Sequence, residues 1–181
     1  MSAHHVHGRT VALAACIAGA LPIAGCAHAA PLSAPTPWLT RRVAFSLPTS
    51  AGSLATVPVP GAGATALDFF APSCEPCRRR LPALWVKHDA LAARGVALLL
   101  VAVLSAGQPA DEAARALASW GAGAAPFLVD RGDASAQSAG VSALPATIVL
   151  DGQGVLRWSA PFDASADDVA AAARSVVEAR R

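Results

Sequence analysis

Charge is scarce in this chain of 181 residues: only 14% are Asp, Glu, Lys or Arg, with 14 basic residues against 12 acidic ones. The one tight basic cluster is Arg78-Arg79-Arg80, too small a patch to follow a phosphate backbone, so no nucleic acid is expected as a partner. Methionine is absent after Met1 and histidine after His88, which removes the thioether and imidazole ligands that a copper-delivery site would need. Cysteines number four, at positions 16, 26, 74 and 77. No internal repeat shows at a period of about twenty to fifty residues, which excludes solenoids and propellers. With 54% apolar residues the chain can bury one full core but is short for two, so one domain is expected.

The longest apolar run, Val11 to Gly25, follows a short segment carrying Arg9 and three histidines (His4, His5, His7). It has the length of a signal-peptide core and falls short of the roughly twenty residues of a spanning helix. Export is therefore expected. The run ends in Ile23-Ala24-Gly25-Cys26, which resembles a bacterial lipobox: residues 1–25 would be a lipoprotein-type signal peptide and Cys26 the lipidated first residue of the mature protein, holding it to a membrane. Ala27-His28-Ala29 offers ordinary secretory cleavage instead. The lipobox is favoured because it accounts for Cys26. Residues 26–40, with Pro31, Pro35 and Pro37, read as a flexible tether. Residues 41–181 are the folded domain, and only Cys74 and Cys77 remain for redox chemistry.

Within that domain Val43-Ala44-Phe45 suggests a short edge strand before a Pro- and Gly-rich stretch to Gly63. Thr65 to Phe70 reads as a strand, and Leu81, Leu84, Trp85 and His88 recur at helical spacing in one helix ended by Gly95. The nearly continuous apolar run Val96 to Leu104 fits a central strand covered on both faces. A helix over Asp111 to Trp120, a strand over Pro126 to Val129 and a helical turn or two over Ala134 to Gly140 follow. Ala146 to Leu150 and Val155 to Trp158 form a hairpin about Asp151-Gly152-Gln153-Gly154. A last helix spans Ala166 to Ala179, with Asp167 and Asp168 in its first turn. This order predicts an α/β domain, a mixed central sheet flanked by helices, and it is the order of a thioredoxin-like fold.

Cys74-Glu75-Pro76-Cys77 lies between a buried strand and a helix, so the first thiol sits where unpaired N–H groups stabilise an anion. Cys74 is expected to be the nucleophile. Pro76 is tolerated in a first turn that has no N–H partner to lose. Cys77, one turn into the helix, is expected to be shielded and to resolve a mixed disulfide. Half of a zinc site would need two further ligands, and the folded part has no other cysteine and His88 as its only histidine; a structural disulfide without turnover is the other alternative. No metal is expected, and no cofactor beyond the redox-active Cys74–Cys77 disulfide.

The segment Leu67-Asp68-Phe69-Phe70-Ala71-Pro72-Ser73-Cys74-Glu75-Pro76-Cys77, Pro82 five residues on, and Leu144-Pro145-Ala146-Thr147 with Ile148-Val149-Leu150-Asp151 and Gly154 resemble the extracytoplasmic TlpA/ResA-like thiol–disulfide oxidoreductases of the thioredoxin superfamily. The resemblance covers about residues 42 to 180. It implies an extra helix and strand before the cis-proline strand, Pro145 as that cis-proline, and the Leu144 backbone as the place where an extended substrate segment pairs. Asp68 coincides with the buried acid of thioredoxin; desolvation in an apolar strand would raise its pKa and let it take the proton of Cys77. Two departures stand out: Ser73 replaces the usual tryptophan, and Arg80 an acidic residue of the ResA branch. The arginine run is expected to form a solvated face, and His88, Trp85, Trp120 and Trp158 to serve packing, with Leu144 and Trp158 as candidates for a substrate groove.

The resemblance implies a reductant of cysteines in client proteins of the bacterial cell envelope, facing the periplasm, as in cytochrome c maturation. It would take electrons from a membrane-bound donor. A disulfide oxidase or isomerase would use the same two cysteines at a higher potential, and a thioredoxin-like peroxidase would need a lone peroxidatic cysteine that this paired motif does not match.

Overall fold

The computed structural model describes residues 41–123 and 125–180; the segments expected to be a signal peptide and a tether, with Cys26, lie outside them. The first elements, β1 (Phe45–Pro48) and β2 (Leu54–Val57), form a two-stranded antiparallel hairpin of their own. Strand β2 falls in the stretch expected to be irregular, and its Val57 is fully buried against the main domain.

Strand β3 (Ala64–Phe70) is buried at all 7 positions. It leads into α1 (Glu75–Trp85), α2 (His88–Ala92) and β4 (Val96–Leu104), which pairs parallel to β3. The single helix expected up to Gly95 is two: the N–H of Lys87 bonds to the carbonyl of Leu84 at 3.0 Å, a tightened turn that ends α1 although the apolar spacing continues. The chain then inserts α3 (Ala110–Trp120), β5 (Phe127–Arg131) and α4 (Ala134–Ser138) before β6 (Ala146–Asp151), β7 (Leu156–Ser159) and α5 (Ala166–Glu178). The sheet order is β5-β4-β3-β6-β7, with β6 antiparallel to both of its neighbours. This mixed five-stranded sheet with flanking helices is the thioredoxin-like fold that the element order implies.

Period-two alternation sorts β3 between two faces. Leu67 and Phe69 point to a core shared with Val43, Leu47 and Val57 of the amino-terminal segment. Ala64 and Ala66 point the other way, toward Leu84 of α1 and Val169, Ala170 and Ala173 of α5, and Phe70 packs with Leu81 and Leu117. Asp68 shares the parity of this second face and therefore lies under α1.

The start of the described chain is fastened to the β6–β7 turn: the N–H of Val43 bonds to the carbonyl of Gly154, and that of Leu156 to the carbonyl of Arg41, both at 2.8 Å. Gly154 is required there, since at φ +78° a Cβ would stand 2.7 Å from the Val43 carbonyl oxygen. Farther along, the N–H of Ser50 bonds to the carbonyl of Phe127 at 2.7 Å.

Asp151 closes the same turn. Its carboxylate is 1% exposed and accepts the backbone N–H groups of Gln153 and Val155 and the guanidinium of Arg157, with Arg180 at 3.1 Å beyond the end of α5. Burial alone would raise its pKa, but these donors together hold it below the ordinary carboxylate range. A depressed carboxylate contributes stability above its unfolded pKa and loses it as pH falls through the folded value. Asp151→Asn should therefore cost about 1–3 kcal/mol in urea unfolding near neutral pH, and the gap to the native protein should shrink once the pH drops below about 4. An equal gap at both pH values would refute this account.

Candidate active site

Ala71-Pro72-Ser73 carry the chain from β3 to Cys74, which caps α1 with an extended backbone (φ −82°, ψ 97°). Its Sγ accepts the backbone N–H of Cys77 at 3.2 Å. Cys74 and Cys77 are joined in a disulfide with Cα atoms 5.2 Å apart. Cys74 is half-buried, whereas Cys77 is 1% exposed and packs with Leu81, Leu100 and Phe70. When the bond opens, the first-turn N–H groups and the helix dipole favour a thiolate on Cys74 by about 0.3–1 kcal/mol, while burial disfavours charge on Cys77.

The surface charges beside the pair are matched. Glu75 accepts Nε and Nη2 of Arg78 at 2.8 and 2.9 Å, and Nη1 of Arg79 at 3.3 Å. The Arg78 hydrogen bond, above all, holds the Glu75 carboxyl below its usual range, and the same bond raises Arg78. All three side chains are more than half exposed, so little net field from them reaches Cys74.

Arg80 corrects the expectation of a solvated arginine face. Its side chain is 8% exposed and its Nη2 donates to Oδ2 of Asp68 at 2.7 Å, the carboxylate itself being 1% exposed. Helical geometry explains the difference: Cys77, Arg80, Leu81 and Leu84 fall at i, i+3, i+4 and i+7 on the buried stripe of α1, whereas Arg78 and Arg79 point outward. Thr147, which lies opposite Asp68 in the β3–β6 register, donates its hydroxyl to the same Oδ2 at 2.7 Å. Desolvation raises the Asp68 pKa, with Arg80 and the Thr147 hydrogen bond pulling against it.

The Leu144–Pro145 peptide is cis. Leu144 packs on the apolar cluster that holds both cysteines, and Pro145 is buried at the side of a groove of about 510 Å³ shared with Pro76, Arg79, Arg80, Phe162 and Ser165. Phe162 is 65% exposed and is the one aromatic side chain among the described residues that line this groove. Sequence reasoning passed over it, though an isolated Phe between Pro161 and Asp163 in a turn was the available signal. Trp158 lines a neighbouring cleft with Pro161 and Asp168. His88 stacks on Trp85 with ring centroids 4.4 Å apart, which is packing. A second cis bond, Val57–Pro58, was not anticipated.

A cysteine disulfide presented at a helix start, on a five-stranded mixed sheet and beside a cis-proline, defines a thiol–disulfide oxidoreductase of the thioredoxin fold. The chain belongs to the AhpC/TSA family, whose model matches residues 43–159. None of the curated proteins matches it. Among solved structures it is similar to StoA from Bacillus subtilis (18% identity, TM-score 0.60, covering 74% of this chain and 98% of that one). It is also similar to a putative thiol:disulfide interchange protein DsbE from Chlorobium tepidum (20%, TM-score 0.61, 76% and 95%). A third is the pneumococcal exposed lipoprotein thioredoxin from Streptococcus pneumoniae (20%, TM-score 0.63, 74% and 99%). At these identities the likeness concerns the fold.

Proposed function

We propose that the protein is an exported reductant of disulfides in client proteins of the bacterial cell envelope. The observation that carries this is the asymmetry of the pair: Cys74 is accessible at the helix start and Cys77 is sealed behind it. The Cys74 thiolate attacks a client disulfide and one client sulfur leaves. Cys77 then gives its proton to Asp68 and attacks the Cys74 sulfur, and the second client cysteine departs reduced. Leu144 and Pro145 hold the client segment in extended form, with Phe162 as an apolar contact beside it. A membrane-bound donor restores the dithiol.

Placement in the envelope rests on the amino-terminal signal pattern and on Cys26 as a lipidation site, facing the periplasm; the interchange-protein and lipoprotein names of two structural neighbours agree with it. No helix among the described residues is long and apolar enough to cross a membrane.

The deciding experiment is the Cys74–Cys77 reduction potential in defined thiol buffers. A value near or below about −270 mV supports a reductant, and one near about −120 mV would make the protein a disulfide donor instead. Cys77→Ser should accumulate a mixed disulfide at Cys74 with a protein client; adding Phe162→Ser should lower that capture severalfold while leaving reaction with glutathione disulfide unchanged. In a producing cell, Cys26→Ser should move the protein from the membrane pellet to the soluble fraction, and continued pelleting would remove the lipid anchor from this picture.

A further inference from the structure

We infer that Arg80 is a positioning residue for the release step: its guanidinium holds Asp68 as the ionised carboxylate that Cys77 needs as a base. This rests on the proton role of Asp68 proposed above and adds the group that makes that role workable.

A carboxyl group 1% exposed between β3 and the apolar face of α1 favours its neutral form, and a neutral carboxyl cannot accept a proton. The structure opposes this from two sides. From α1, Arg80 Nη2 donates to Oδ2 at 2.7 Å; from β6, the Thr147 hydroxyl donates to the same oxygen at 2.7 Å. From β4, the register neighbour is Leu100, which brings no charge and packs in the cluster containing Cys77. Both donors crowd one oxygen, and Oδ1 takes no hydrogen bond among the described residues. That oxygen is the one with lone pairs available for a proton. Arg80 follows Cys77 by three residues, so both side chains leave the same face of one helical turn.

Among the described residues that line the groove, the other ionisable groups are Arg79 and Asp163, with Arg79 paired to Glu75. Arg80 is therefore the cation that sets the state of Asp68. Among the described residues Nε and Nη1 of Arg80 are buried and make no hydrogen bond, so no wider polar network holds the side chain there, and its one ion pair among them is with Asp68. The step balances as follows: the Cys77 proton passes to Asp68 Oδ1, the Cys77 sulfur bonds to Cys74 Sγ, the bond from Cys74 to the client sulfur breaks, and that sulfur leaves as thiolate. Two electrons pass from the cysteine pair to the client.

The test uses the whole chain with Cys16 and Cys26 changed to serine, so that only the pair reacts. The Cys74–glutathione mixed disulfide is trapped in acid, jumped to a series of pH values, and its closure to the Cys74–Cys77 disulfide followed by acid quench and mass measurement. Arg80→Met should move the inflection of the closure rate upward by about one pH unit or more, making closure about tenfold slower below it. Arg80→Lys, which keeps the charge, should recover most of the loss. Asp68→Asn should abolish the inflection. An unshifted inflection in folded Arg80→Met overturns the inference while leaving the role of Asp68 standing; an unchanged profile in Asp68→Asn overturns both. Should Arg80→Met fail to fold, the carboxyl carbon signal of Asp68 in the unaltered protein decides, since a neutral carboxyl at about pH 7 contradicts the inference.

Discussion

One carboxylate sits in the middle strand of this sheet, and three elements meet on it. Asp68 in β3 takes Thr147 from β6 and Arg80 from α1 on a single oxygen. Thr147 lies two residues after Pro145, and Arg80 three after Cys77, so the contact fixes the proline loop and the cysteine helix to the strand beneath both. A buried ion pair is a weak source of net stability, because desolvation offsets most of the attraction. What it supplies here is register: the Nη2–Oδ2 contact forms when α1 lies on β3 with Cys77 turned inward.

Around that contact the site divides labour by depth. The outer charges, Glu75 with Arg78 and Arg79, neutralise one another in solvent and leave Cys74 to the helix start. The inner charges are the ones whose state the low-dielectric surroundings amplify. Cys77 belongs to the inner layer, where making a thiolate requires a base on hand. The two sulfurs of one disulfide therefore stand in electrically different surroundings only one helical turn apart.

Much of the fold was legible because period and punctuation agreed. The run Val96–Leu104 matches β4 at both ends, the Asp151 to Gly154 turn lies where its residues demand, and the helix after Ser165 begins at a reciprocal Ser165–Asp168 cap. The cysteine motif and Pro145 marked the two sides of the site. What was not legible depended on partners distant in sequence. Strand β2 is too short to show a pattern and exists by pairing with β1. The break after Trp85 leaves the apolar spacing intact and shows only in hydrogen bonding. Arg80 looked like its two solvated neighbours, and its inward position follows from the stripe of Cys77, Leu81 and Leu84 together with a carboxylate twelve residues earlier. Phe162 lies in a turn, where residue type alone does not separate a contact residue from an incidental one.

The amino-terminal segment has a consequence for solubility. A five-stranded open sheet has two outer strands, here β5 and β7, each with a row of main-chain groups free to recruit a strand from another molecule. Residues 41–43 bond to the start of β7 and its turn, and residues 49–50 meet β5, while Val43, Leu47 and Val57 cover the apolar surface between. One strap thus blunts both edges and roofs the face that joins them. A shorter protein beginning after Val57 would keep its cysteines, its proline loop and its buried carboxylate, yet present two open edges flanking bare leucine and phenylalanine, a surface suited to self-association.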